Sequence, residues 1–169
     1  MFDVGDKVVY PMHGAGIIEA IEEKEILGDR KKYYVMRLPM GEMKVMIPMD
    51  NVCQVGLREV IGRDAVEKVF QILQEPAGET PSNWNRRYRK HLEKIKSGNI
   101  FKVAEVVRNL VLRDQEKGLS TGERKMLGSA KQILISELEL VPGMDREIIN
   151  QKLEEIFREP QEEDGSPQK

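Results

Sequence analysis

The side chains of this sequence best equipped for chemistry are basic ones. From Ser82 to Lys96 it reads SNWNRRYRKHLEKIK, where Arg86, Arg87, Arg89, Lys90, Lys94 and Lys96 face a single acid, Glu93. On a helix, positions 86, 89 or 90, and 94 share one face and form a basic stripe. The arginine fork suits phosphate oxygens, and each neutralised phosphate adds salt-sensitive affinity. The stripe reads either as a phosphate track or as a solvated helix surface. Trp84, the one tryptophan in the chain, stands just ahead of these charges. Its spacing to Tyr88 and Leu92 fits a core anchor; an exposed ring would instead be placed to wedge against bases. Arg124 and Lys125 follow Ser120, and cations in a first turn oppose the helix dipole, which hints at an external anion.

Catalysis finds no comparable anchor. Cys53, His13 and His91 are too few for a Cys/His zinc site, and no metal or cofactor is expected. His13-Gly14-Ala15-Gly16 resembles half a glycine-rich loop, but it precedes a strand and lacks the third glycine, so a tight turn is the better reading. Neither a G-x-S-x-G elbow nor a Walker motif is present. The sequence is read as a non-enzyme with no small-molecule substrate.

The net charge of −2 hides a strong asymmetry. Residues 1–80 carry −4, residues 81–134 carry +8, and residues 135–169 carry −6. A polyanion would meet the middle segment, which the overall balance conceals. No apolar run is long enough to span a membrane. The opening MFDVGDKVVY lacks the pattern of a secretory leader, and the lone Cys53 fits a reducing compartment, so a cytoplasmic location is expected.

The elements that must position these residues fall into two groups. Lys7–Tyr10, Ile17–Ile26, Lys32–Leu38, Met43–Ile47 and Val52–Val55 read as five short strands, with turns at Gly14 and Gly16, at Gly28-Asp29 and at Pro39–Gly41. Such spacing suggests a small Tudor- or SH3-like barrel over residues 1–56. From there the apolar period becomes helical. One stripe runs from Ala65 to Leu73, and Ser82 is expected to cap the helix of Trp84, Tyr88, Leu92 and Ile95. Ser97-Gly98-Asn99 separates it from the next helix, Ser120 and Glu123 form a capping-box pair, and Asp145 caps a last helix ending near Phe157. The fold class is α+β, with an all-α bundle over 57–158 and a disordered acidic tail over 159–169.

Several blocks resemble the CarD/CdnL family of transcription regulators. They are FDVGDKVVYPMHG at Phe2–Gly14, NWNRRY at Asn83–Tyr88, KVAEVVRNL at Lys102–Leu110 and RDQEKGLSTGERKML at Arg113–Leu127. The similarity runs from about residue 2 to 141, and separate blocks in order are more specific than any one motif. The resemblance implies a Tudor-like module that binds the β subunit of bacterial RNA polymerase, a module that also occurs in transcription-repair coupling factors. It also implies a helical domain that acts on promoter DNA at the upstream edge of the transcription bubble. There Trp84 would be a minor-groove wedge, with Arg86, Arg87, Arg89 and Lys90 along the backbone and Arg124 or Lys125 as a second contact.

On the polymerase side, edge-strand addition would use Tyr33–Arg37 or Met43–Ile47. The residues concerned are Tyr33, Val35, Arg37, Met43, Val45, Met46 and Ile47, and Lys24 and Met46 align with family contact positions. Relatives can carry Arg where Met46 stands, so either an apolar contact replaces a charged one or the register is shifted. The resulting expectation is a polymerase-bound stabiliser of open promoters. The alternatives are an autonomous nucleoid-type DNA binder and a polymerase-docking adaptor in repair; the acidic ends disfavour the nucleoid type, and the adaptor would need a separate motor.

Overall fold

The computed structural model describes residues 1–39 and 42–158. The expected break at Pro39–Gly41 therefore falls partly outside the described residues, and the expected tail over 159–169 falls wholly outside them. Five antiparallel strands come first: β1 (Lys7–Tyr10), β2 (Gly14–Ile26), β3 (Asp29–Leu38), β4 (Met43–Pro48) and β5 (Arg58–Glu59). Their spatial order is β4-β3-β2-β1-β5. Between β4 and β5 lie a 3-10 turn, Met49–Asn51, and a single helical turn, α1 (Val52–Val55).

Four strands follow the hydrophobic pattern, but the fifth does not. Val52–Val55, expected as a strand, is helical because Gly56 takes the left-handed conformation (φ 78°) and its N–H returns to the carbonyls of Val52 and Cys53. That is a helix C-cap, and it turns Val52 and Val55 onto the sheet core. The true fifth strand pairs Arg58 and Glu59 with Val9 and Val8. The β2–β3 hairpin turns at Leu27-Gly28, one residue before the expected Gly28-Asp29, with φ of 53° and 86° at the two positions. Two consecutive positive φ values match the twist that a two-residue hairpin turn needs.

Five longer helices follow among the described residues: α2 (Arg63–Gln74), α3 (Trp84–Lys96), α4 (Ile100–Lys117), α5 (Thr121–Leu138) and α6 (Arg146–Ile156). The caps at Ser120 and Asp145 lie where the sequence puts them, with Ser120 and Glu123 in a full capping box. The α3 cap is a correction. Asn83, not Ser82, holds the position, its side chain accepting from the Arg86 N–H at 3.0 Å. Both residue types cap well, and one position decides which side-chain oxygen reaches the first turn.

The described residues form two apolar cores. Val8, Ile18, Tyr34, Met36, Leu38, Ile47 and Leu57 close the sheet core, so the sheet draws on the chain as far as residue 59. The second core lies among the helices, around Val69, Val106, Val107, Leu110, Leu134 and Leu138. Helix α5 joins the two. Its Ser136 hydroxyl accepts from the Ala15 N–H of β2 at 2.9 Å and donates to the Ile133 carbonyl. Gly14 is left-handed (φ 106°) and sits so close to Ser136 that a side chain there would collide with it. Next to this contact the buried Glu137 carboxylate takes both Nη atoms of Arg58, at 2.8 and 2.7 Å, and the Ile61 N–H at 2.9 Å. Arg58 also donates from Nε to the Gly98 carbonyl. One arginine thus ties the sheet edge to α5 and to the α3–α4 turn. No helix among the described residues is long and apolar enough to cross a membrane.

Candidate nucleic-acid interface

Asn83 starts α3 so that Trp84 is its first helical residue. The ring is neither in the core nor free. It is 40% exposed, stacks on Tyr88 with centroids 5.0 Å apart and planes 19° apart, and lies over Gly122 of α5. Its Nε1–H donates to the Ser120 hydroxyl at 3.0 Å. Ser120 is the N-cap of α5, so the indole bridges the N-terminal ends of two helices. Both ends carry partial positive charge from unpaired N–H groups.

Beneath the ring lies a buried ion pair. Arg87 donates from Nε to Glu123 at 2.8 Å, and the two side chains are 3% and 2% exposed. Arg87 Nη1 reaches the carbonyls of Pro81 and Ser82, while the other Glu123 oxygen accepts from the backbone and hydroxyl of Ser120. Burial pushes the Glu123 carboxyl up, but the bonds from Arg87 and Ser120 outweigh it and hold the group below the usual carboxylate range. Trp84, Ser120, Glu123, Arg87 and the Pro81-Ser82 carbonyls form one connected network.

This corrects the expectation for Arg87. With Nε paired to a carboxylate and its side chain out of solvent, it is a brace under Trp84 rather than a hand for phosphate. The signal was its spacing: Arg87, His91 and Ile95 recur every fourth residue and are all buried. The other cations of the stripe differ in their surroundings. Arg86, Arg89 and Lys90 are exposed and form no ion pair among the described residues. Lys94 is half-buried against Glu105 at 2.8 Å. Arg124 and Lys125 are exposed in the first turn of α5, Arg124 only 3.8 Å from Asp114.

On the sheet, the order of strands decides which backbone is free. β3 lies between β4 and β2 and pairs with both, so Tyr33–Arg37 cannot add a strand, which corrects that half of the expectation. β4 has no strand neighbour on its outer side among the described residues. Val35 and Ile47 are buried, while Tyr33, Val45 and Met46 are half-buried. Arg37, Met43 and Lys24 are exposed, and Lys24 lies near the tip of the β2–β3 ribbon. His13 belongs to the turn between β1 and β2, beside Tyr10, as its glycines suggested.

The chain is therefore an α+β protein, a small antiparallel sheet tied to a helical unit that carries an aromatic-tipped cationic face. Residues 2–61 match the model of the CarD-like/TRCF RID domain, and residues 68–154 match that of the CarD C-terminal domain. The protein belongs to the CarD family of transcription regulators, a family of transcription factors rather than enzymes. YdeB of Bacillus subtilis (strain 168), whose assignment as a transcription factor is provisional, is 45% identical over 144 residues, covering 85% of this chain and 94% of its own. Two solved Myxococcus xanthus structures are also similar. The 72-residue N-terminal domain of CarD shares 36% identity, with coverage of 35% of this chain and 79% of that one and a TM-score of 0.31. CdnLNt shares 46%, with coverage of 36% and 86% and a TM-score of 0.32.

Proposed function

We propose that this regulator docks on the β subunit of RNA polymerase and stabilises the open promoter complex. The outer edge of β4 adds to a strand of the polymerase, with Met43 and Met46 beside it and Lys24 on the neighbouring ribbon. The helical unit then presents Trp84 to the minor groove at the upstream edge of the melted DNA. Arg86, Arg89, Lys90, Arg124 and Lys125 neutralise nearby phosphates. The observation that carries this reading is Trp84 itself: a half-exposed ring, fixed by Tyr88 and Ser120 at the start of the helix that carries the exposed Arg86, Arg89 and Lys90.

The physics favours a junction over intact duplex. A base step at the edge of melted DNA is already partly unstacked, so an aromatic wedge meets a smaller deformation cost there. A ligand that prefers the melted state shifts the equilibrium toward it. Stacking of a base on an aromatic ring is worth ~1–3 kcal/mol, or roughly 5- to 150-fold in an equilibrium. Sequence choice then belongs to the polymerase, while this protein reads shape and charge.

The test is the lifetime of open complexes challenged with a competitor, using the host polymerase with no addition, with wild type and with Trp84→Ala. Wild type is expected to lengthen the lifetime and Trp84→Ala to lose most of that gain, with far-UV circular dichroism showing the variant folded. Equal lengthening by both proteins would refute the wedge. No lengthening by wild type on several promoters, with polymerase binding verified, would refute the stabiliser.

A further inference from the structure

Helix α5 turns both of its acids inward. Glu123 pairs with Arg87 and Glu137 with Arg58, and each carboxylate side chain is 2% exposed. The charges of α5 that keep access to solvent are Arg124, Lys125 and Lys131, all cationic. Arg124, Gly128 and Lys131 recur at helical spacing on one face, about 10 Å from end to end. At Gly128 that face is bare, since a side chain added there would meet no neighbouring atom. Lys125 and Lys131 form no ion pair among the described residues. Arg124 is 62% exposed and stands 3.8 Å from Asp114, beyond hydrogen-bonding distance.

The last described residues lie against this face. The Phe157 carbonyl accepts from Gln115 Nε2 at 2.7 Å, and Phe157 lines one surface cavity with Lys131 and Ile135 of α5. Glu154 lines that cavity too, without pairing with Lys131. Gln115 follows Asp114, the neighbour of Arg124, so the anchored carbonyl fixes the side of α5 on which the chain leaves the helices. Beyond Arg158 the sequence reads EPQEEDGSPQK, in which Glu159, Glu162, Glu163 and Asp164 stand against Lys169 alone. From Glu159 to Asp164 an extended chain reaches roughly 20 Å, about twice the length of the stripe.

We propose that the acidic segment 159–169 docks in cis along Arg124, Lys125 and Lys131. Each ion pair at such a surface is weak, but covalent attachment supplies an effective concentration on the order of millimolar. Several weak pairs then suffice, and salt governs them. The segment thereby competes with nucleic acid for Arg124 and Lys125, a consequence that, unlike the docking itself, rests on the function proposed above. A short cluster of acids loses that competition to a duplex, which carries one charge per about 1.7 Å and is also held by the cations of α3. DNA that reaches only part of the cationic face does not displace the segment, so contacts made away from polymerase are the ones suppressed.

The docking is tested on the full chain without polymerase or DNA, so its outcome is independent of the function proposed above. A nitroxide is placed at Ser166→Cys, with the exposed Cys53 changed by Cys53→Ser so that only one site is labelled. Broadening of backbone amides is then read by ¹H–¹⁵N NMR. At low ionic strength, Lys125, Gly128 and Lys131 should broaden, while Lys24 on the β2–β3 ribbon should not. The broadening should vanish in about 1 M sodium chloride, where screening acts within about 3 Å. It should vanish equally when Glu162→Gln, Glu163→Gln and Asp164→Asn are combined, changes that leave every described residue untouched. Unbroadened α5 amides at low salt would overturn the docking, as would broadening that survives neutralisation of the three acids. Broadening that arises between separately labelled and ¹⁵N-enriched molecules would overturn it too, because a second copy would then supply the segment. Competition is read separately by titrating forked DNA at low salt. The neutralised variant should bind about three- to tenfold tighter than wild type. Equal affinities would overturn the competition.

Discussion

Removing the guanidinium of Arg58 is the most demanding test of how the sheet and the helices are held together. Arg58 is 30% exposed and Glu137 2%, so the pair is unequal: the arginine can recover water, whereas the carboxylate cannot. Arg58→Ala leaves a buried charge with only the Ile61 N–H for company and also frees the Gly98 carbonyl. Stranding a buried charge costs about 3–5 kcal/mol. Glu137→Gln removes the charge itself and keeps one acceptor, though its amide now opposes an arginine donor, for about 1–3 kcal/mol. At roughly 2–4 °C per kcal/mol for a chain of this size, Arg58→Ala should lower the Tm by about 6–20 °C. Urea unfolding followed by Trp84 fluorescence and by circular dichroism measures both variants. A loss below about 1 kcal/mol for Arg58→Ala would class the pair with ordinary surface ion pairs. A smaller loss for Arg58→Ala than for Glu137→Gln would refute the argument from unequal burial.

Further substitutions and one pH profile test the helical unit. Arg87→Ala strands the Glu123 carboxylate and should cost about 3–5 kcal/mol, whereas the neighbouring Arg86→Ala should change stability by less than about 0.5 kcal/mol. Comparing their urea midpoints distinguishes the brace from the exposed cation. His91 should make the fold weaker in acid. Its pKa falls from 6.5 in the unfolded chain to about 4 in the fold, so between those values the unfolded state binds the extra proton. Stability therefore declines as pH drops from 6.5 toward 4, by up to roughly 3 kcal/mol. His91→Gln should flatten that part of the profile, and an unchanged slope would count against a buried neutral ring.

What the sequence discloses, and what it withholds, divides by distance along the chain. Capping at Ser120–Glu123 and Asp145 depends on residues three apart, and both were legible. The exposed stripe of Arg86, Arg89 and Lys90 needed only helical periodicity. The role of Arg87 needed its partner Glu123, 36 residues away, and no local pattern reports which of several arginines will meet a distant carboxylate. Likewise β3 and β4 look alike as strands, and only the order of the sheet shows that β4 alone of the two has a free edge. Val52–Val55 misled because four apolar-rich residues suit either structure, and Gly56 settled the matter from outside the segment.

The stacked, hydrogen-bonded setting of Trp84 has a consequence for conformational entropy. A side chain that is ordered only on binding gives up about 0.5–1.5 kcal/mol of rotamer freedom at that moment. Here Tyr88 covers the ring and Ser120 holds its nitrogen before any partner arrives. The loss is incurred during folding, so whatever meets the exposed part of the indole finds it already still.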